Sequence, residues 1–279
     1  MTSRREFLAT VGAASLLPAA TARTVSGASR GAPVKLGLAS YSLRKFPLDR
    51  CLEMAKTLDV TYVNFKDVHI PMTDSPDAIR AARAKIEAAG FTIVGGGTIT
   101  MKNDAAQVRH AFEYARLAGM PLVVAAPSHD ALDLVERHAK EFDIRVAIHN
   151  HGPEDKEFPS PYDVYKMVKT RDSHMGLCVD VGHTVRTGVD VTRAVLELRD
   201  RVYDLHVKDL RDLKDKDSQV IVGKGAIDFP ALFRALMKIG FTGHANLEYE
   251  IDADNPLAGM QQSFAYMRGV LAAIATTTD

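Results

Sequence analysis

The chain of 279 residues is short of several things that would each announce a class of protein. It has two cysteines, Cys51 and Cys178. One falls near a predicted helix start and the other inside an apolar strand, so buried free thiols are expected rather than a disulfide. It has no charge excess, with Lys+Arg and Asp+Glu at 35 each. A protein that grips a phosphate backbone carries a basic surplus, so nucleic acid is not an expected partner. Beyond the first residues there is no apolar run of the roughly 18 needed to span a bilayer. There is also no phosphate-cradling glycine loop. The first strand leads into Ser40-Tyr41-Ser42-Leu43-Arg44, and the Gly95-Gly96-Gly97 run lacks GxGxxG spacing. That triplet is expected to let the backbone turn sharply or approach a ligand.

The N-terminus reads as a leader. Ser3-Arg4-Arg5-Glu6-Phe7-Leu8 is a twin-arginine pattern, followed by a weakly apolar stretch and Ala20-Thr21-Ala22, an Ala-x-Ala cleavage signal. We therefore expect residues 1–30 to be a twin-arginine signal peptide and linker, residues 31–279 a single catalytic domain, and the mature protein to be periplasmic or otherwise exported without a membrane anchor.

The remaining residues alternate between two periods. Strand-like runs occur at Val34–Ser40, Tyr62–Phe65, Thr92–Val94, Leu122–Ala125, Arg145–His149, Gly176–Val181, Tyr203–Val207 and Ala245–Tyr249. Helical patterns lie between them at Leu48–Leu58, Pro76–Ala89, Ala105–Ala118, Ala131–Phe142, Pro161–Lys169, Val191–Leu198, Pro230–Ile239 and Pro256–Ala273. Ser75 before Pro76, Ser160 before Pro161 and Asp228 before Pro230 are helix-start signals, and Gly90 and Gly240 are stops. Eight strands and eight helices in alternation predict an α/β fold, a closed (β/α)₈ TIM barrel. A doubly wound open sheet is the competing arrangement.

In such a barrel the strand C-termini converge. Four consecutive strands end in metal-ligand types: His149, Asp180, His206 and Glu248, spaced 31, 26 and 42 residues apart. Burying that many ionisable groups together is costly without compensation. Imidazole and carboxylate together suit a divalent ion such as Mn²⁺, Zn²⁺, Fe²⁺ or Co²⁺. Other strand exits supply polar groups for substrate: Tyr41, Arg44, Lys66, His69, and Ser128 with His129. In the loop after the fifth strand, Glu154 and Asp155 read as a solvated acidic turn, with reach into the site as the alternative. Glu250, at the far end of the eighth strand, reads as a loop residue outside the barrel. The Val222–Asp228 segment reads as a hairpin excursion or a flap over the site.

Asp-x-x-His on strand six, His-x-Lys-Asp on strand seven and Glu on strand eight resemble the xylose-isomerase-like sugar isomerase/epimerase superfamily. That group includes ketose 3-epimerases, hydroxypyruvate isomerases, inosose dehydratases and type-four apurinic endonucleases. The resemblance spans the chain beyond the leader. It implies that Asp180, His206 and Glu248 hold a divalent ion, commonly Mn²⁺, with Zn²⁺, Co²⁺, Fe²⁺ or Mg²⁺ as alternatives. It also implies a carbohydrate substrate, and Lys208 and Asp209 match the tail of the strand-seven motif. The ketose epimerases place a glutamate on strand five where this chain has His149, which we take as the fourth ligand. Expected catalytic groups are Glu248, His149, His151, His183 and Lys66. Expected substrate-binding groups are Arg44, His69 and Lys208. The implied activity is an isomerase or epimerase of a keto-sugar working through an enediolate. β-Elimination from a 3-keto-glycoside and a non-catalytic sugar-binding barrel are the alternatives, and a homo-oligomer is allowed.

Overall fold

The computed structural model describes residues 34–276. The predicted leader lies outside the described residues. The chain runs β1 (Lys35–Ala39), α1 (Leu48–Thr57), β2 (Tyr62–Phe65), α2 (Pro76–Ala88), β3 (Thr92–Met101), α3 (Ala105–Leu117), β4 (Leu122–Pro127), α4 (Leu132–Phe142), β5 (Arg145–His149), α5 (Pro161–Val168), β6 (Met175–Asp180), α6 (Val181–Arg186), α7 (Val191–Glu197), β7 (Val202–Val207), β8 (Asp209–Leu210), β9 (Gln219–Val220), α8 (Phe229–Lys238), β10 (His244–Leu247) and α9 (Leu257–Thr276). Strands β1 to β7 and β10 pair in parallel and in sequence order, and β10 returns to β1 to close an eight-stranded barrel. The short β8 and β9 form a separate antiparallel ribbon.

The helices begin where capping chemistry allows. Ser75 Oγ accepts from Ala78 N ahead of Pro76, Ser160 and Asp163 form a reciprocal capping box, and Asp228 accepts from Ala231 N. Gly90 and Gly240 follow α2 and α8 with φ of +90° and +65°, conformations that carry no penalty only in glycine. Among the described residues no helix is long and apolar enough to cross a membrane. Both cysteines are free and buried.

Two apolar layers make the core. The larger packs the outer strand faces, such as Val146, Ile148, Leu177, Val179 and Leu205, against the helices. The smaller fills the barrel interior with Leu122, Val124, Ala147 and Cys178. Side chains alternate along a strand, so residues two positions beyond that inner layer also face inward. On β5 and β6 those residues are His149 and Asp180. Asp180 pairs with His206 across β6 and β7, and His149 pairs with Cys178 across β5 and β6. The strand register thus carries the ionisable groups to one level at the mouth of the barrel.

Candidate metal centre

His149, Asp180, His206 and Glu248 each place one ligand atom within 4.8 Å of the others, and all four are buried. His149 Nε2 stands 3.1 Å from His206 Nδ1 and 3.4 Å from Asp180 Oδ2, and His206 Nδ1 stands 3.3 Å from Glu248 Oε1. Ligands bound at about 2.0–2.1 Å in a tetrahedron lie about 3.3–3.4 Å apart, so this spacing fits a divalent ion. Asp180 Oδ2 is buried and accepts no well-formed hydrogen bond, having only ionic contacts to His149 and Lys208. The other oxygen, Oδ1, accepts from His183 N at 2.7 Å as the cap of α6, which aims Oδ2 at the cluster.

The charges support the same fit. Burial pushes the His149 imidazole down to about 3, so it is neutral and offers a lone pair. Burial disfavours charge on Asp180 and Glu248, but the surrounding cations outweigh it and hold both carboxyls well below the usual carboxylate range. Burial also opposes charge on His206, yet the Cys178 sulfur and the Glu248 carboxylate raise its affinity for a proton well above the ordinary imidazole value. Without an ion, His206 carries the compensating positive charge. A divalent ion would replace that proton. Cys178 lies beneath, within 4.8 Å of both imidazoles, its thiol pushed up to about 12 by burial.

Lys208 completes the floor. It is 4% exposed, and its Nζ lies 2.6 Å from Glu250 Oε2, 2.8 Å from Glu248 Oε2 and 3.1 Å from Asp180 Oδ2. Burial works against its charge, and the three carboxylates keep its pKa well above that of a free lysine. Glu250 therefore belongs to the site, which corrects its reading as an outside residue. Strand β10 ends at Leu247, and its exit is held from two sides. Ser42 Oγ donates to Leu247 O and accepts from Tyr249 N. Gln219 of β9 donates to Glu248 O and accepts from Glu250 N, while Arg44 donates to Glu250 O.

A cavity of about 230 Å³ opens over the cluster, lined by Tyr41, Lys66, Gly97, Thr98, His149, His151, His183, Lys208, Glu248 and Glu250. His151 Nδ1 lies 3.1 Å from Asp155 Oδ2. A carboxylate oxygen accepts here, so Nδ1 is the donor and Nε2 is the ring nitrogen free of this contact. Asp155 is fixed in turn by Glu157 N and Phe158 N, which donate to Oδ1. The acidic turn is thus not merely solvated. His183 is arranged the opposite way. Arg186 donates to its Nδ1 at 3.0 Å, and burial lowers its pKa, so the neutral ring presents Nε2–H. Arg186 is itself held by Glu154.

Four residues expected to bind substrate do other work. His69 is buried with Nδ1 on Ser40 Oγ and Nε2 facing Leu43 O. It joins the exits of β1 and β2 and does not line the cavity. Arg44 stacks over the Tyr41 ring and binds backbone oxygens, so it positions Tyr41 and Glu250 from behind. Ser128 and His129 turn away to Asp130 and Glu157. Lys66 does line the cavity and donates to Thr98 O at 2.7 Å. The Val222–Asp228 segment is tied down: Asp209 accepts from Gly223 N, Gly225 N and Ile227 N. Sequence reasoning missed Arg186. Its signal was the i,i+3 spacing from His183, visible only once α6 is recognised as a helix.

A closed parallel barrel with buried imidazoles and carboxylates gathered at its mouth is the class this geometry defines. The profile of the xylose isomerase-like TIM barrel family matches residues 52–270, and the chain belongs to that family. Among curated proteins it is similar to the rhizopine catabolism protein MocC of Rhizobium meliloti, 29% identical over 135 residues that make up 43% of this chain and 41% of that protein. It is also similar to inosose dehydratase of Lacticaseibacillus casei, 26% identical over 136 residues, 43% of this chain and 45% of that one. The chain thus spans less than half the length of the curated relatives it matches. Among solved structures, the IolI protein with a bound zinc atom superposes with a TM-score of 0.74 at 17% identity, covering 86% of this chain and 99% of that one. That likeness speaks to the fold.

Proposed function

We propose that this chain is a divalent-metal-dependent isomerase or epimerase of a keto-sugar, or of a sugar derivative bearing a carbonyl, working through an enediolate. The observation that carries the reading is the closed cluster of His149, Asp180, His206 and Glu248 beneath a cavity lined by hydroxyl-binding groups. An ion held there supplies Lewis-acid polarisation of a carbonyl and its neighbouring hydroxyl. Lys208 keeps a fixed positive charge beside the oxygen that becomes anionic as the α-proton leaves. His151, oriented by Asp155, presents Nε2 as the proton acceptor. His183, with Nδ1 taken by Arg186, donates Nε2–H to a substrate oxygen in this reading, and His151 serves as the base. Tyr41 and Lys66 face the same space. Mn²⁺ is the proposed ion, and export through the Arg4-Arg5 leader is proposed with it.

β-Elimination from a 3-keto-glycoside is a second reading, favoured by one specific arrangement. His151 and His183 face the cavity as one acceptor and one donor, with ring centroids 6.0 Å apart. Elimination needs one of each, and the dehydratase among the relatives is named for such a reaction. Incubating Mn²⁺-loaded protein with a 3-keto-glucoside and following the mixture by NMR tests both. A stereoisomer with the glycosidic bond intact supports epimerisation, and released aglycone supports elimination. Metal-dependent sugar binding without turnover across a keto-sugar panel would leave a binding protein and sink the proposal.

A further inference from the structure

We infer that the natural ligand is a two-part molecule, a glycoside whose sugar ring covers the four-residue cluster and whose second, ring-sized group fills a neighbouring cavity beyond Lys66. The inference rests on the carbohydrate reading above and adds the substrate class. The cavity over the cluster measures about 230 Å³, below the roughly 300 Å³ at the lower end of small-molecule sites. A second cavity of about 240 Å³ adjoins it and shares Lys66, Gly97 and Thr98 as its wall. The pair reaches the usual range.

The two chambers differ in chemistry. The first holds the ionic groups. The second is lined by Met72, Ile99 and Tyr114, with Asp67 and Thr100 as its polar members. The Tyr114 hydroxyl already donates to Ile70 O at 2.8 Å, so its ring offers an apolar face. Such a chamber suits a ring with an apolar face and a polar edge, a chemistry shared by a second sugar and an aryl group. The wall is built by β3, which runs ten residues to Met101 where the other barrel strands have four to six.

Lys66 stands at the seam. Its ammonium has three hydrogens; Thr98 O takes one at 2.7 Å and Asp67 Oδ1 lies 3.4 Å away. The remaining hydrogen is the one assigned here to the oxygen that would link the two parts of the ligand.

The test measures binding to Mn²⁺-loaded protein by titration calorimetry. Methyl β-D-glucoside, phenyl β-D-glucoside and methyl β-cellobioside serve as probes, each with its anomeric carbons locked so that none has a carbonyl to enolise. Phenyl glucoside or methyl cellobioside should bind at least tenfold more tightly than methyl glucoside, and the tighter of the two identifies the second group as aryl or sugar. Thr100→Trp and Met72→Trp, each made separately, should erase that preference by filling the second chamber. Equal affinities for all three, no measurable binding, or a preference surviving both substitutions would overturn the inference. A preserved preference with no turnover of any keto-sugar would refute the proposed reaction while leaving this subsite standing.

Discussion

Lys208→Met separates the charge of the site floor from its shape. Methionine retains most of the volume, so the change removes little beyond the ammonium. That ammonium is 4% exposed and lies 2.6–3.1 Å from oxygens of Glu250, Glu248 and Asp180. Removing one partner of a buried ion pair costs about 3–5 kcal/mol, because the remaining charge stays desolvated. In a domain of this size each kcal/mol moves the melting temperature by roughly 2–4 °C. The variant should therefore melt about 6–20 °C below wild type in EDTA. A divalent ion would replace the lost positive charge. Adding Mn²⁺ should then raise the variant's melting temperature by more than it raises that of wild type, where ligand at a hundredfold over Kd is worth about 2.7 kcal/mol. Calorimetric melts at pH 7 in EDTA and in excess Mn²⁺ give all four values. Lys66→Met, at a half-buried lysine, is the control and should shift little. If Lys208→Met melts with wild type in EDTA, the electrostatic account of the floor is wrong.

Three further expectations follow from named contacts. Asp155→Asn leaves an oxygen for Glu157 N and Phe158 N but places an NH2 donor opposite His151 Nδ1, so turnover of a keto-sugar should fall by about 10²–10⁴-fold, the range of general acid–base contributions, while metal content measured by mass spectrometry stays at the wild-type value. At the opposite end of the barrel, hydrogen bonds that His174 donates to Asp143 and Asp172 raise its pKa. Its contribution to stability is complete below the unfolded imidazole value and is lost as pH rises through the raised folded value. Urea midpoints of wild type should decline from pH 6 toward pH 8.5 relative to His174→Gln, and parallel curves would show that the contact is silent. Asp209→Ala removes the acceptor for Gly223 N, Gly225 N and Ile227 N, so limited proteolysis should cut residues 211–228 faster than in wild type.

How far the site was legible depended on whether a residue's role is set by strand periodicity or by a loop. His149, Asp180 and His206 end apolar strands whose alternation points them inward, so pattern alone brought them together. The strand pattern also gave β2 and β5 to the residue. Elsewhere loop geometry decided. The apolar run of β3 stops at Val94, where the Gly95–Gly97 triplet interrupts the strand pattern. The strand continues to Met101 through Gly95–Gly97, where Leu122, Met120 and Val124 approach too closely to leave room for side chains. Glu250 turns inward because Ser42, Gln219 and Arg44 bind the backbone around it, partners from 31 to more than 200 positions away. The roles of His69 and Arg44 failed for a similar reason. A polar residue at a strand exit can serve the backbone as readily as the ligand, and only the partner distances decide. Helix α6 and the β8–β9 ribbon were too short for a periodicity to register.

The claim at the centre of this account is that His149, Asp180, His206 and Glu248 hold one divalent ion. The direct measurement is metal stoichiometry by inductively coupled plasma mass spectrometry, on protein stripped with EDTA, reloaded with Mn²⁺ or Zn²⁺ and freed of excess. Wild type should retain about one ion per chain, as a single mononuclear site requires, and Asp180→Asn and Glu248→Gln should each retain almost none while keeping a wild-type circular dichroism spectrum. Wild type that retains no ion, or variants that retain a full equivalent, would contradict it.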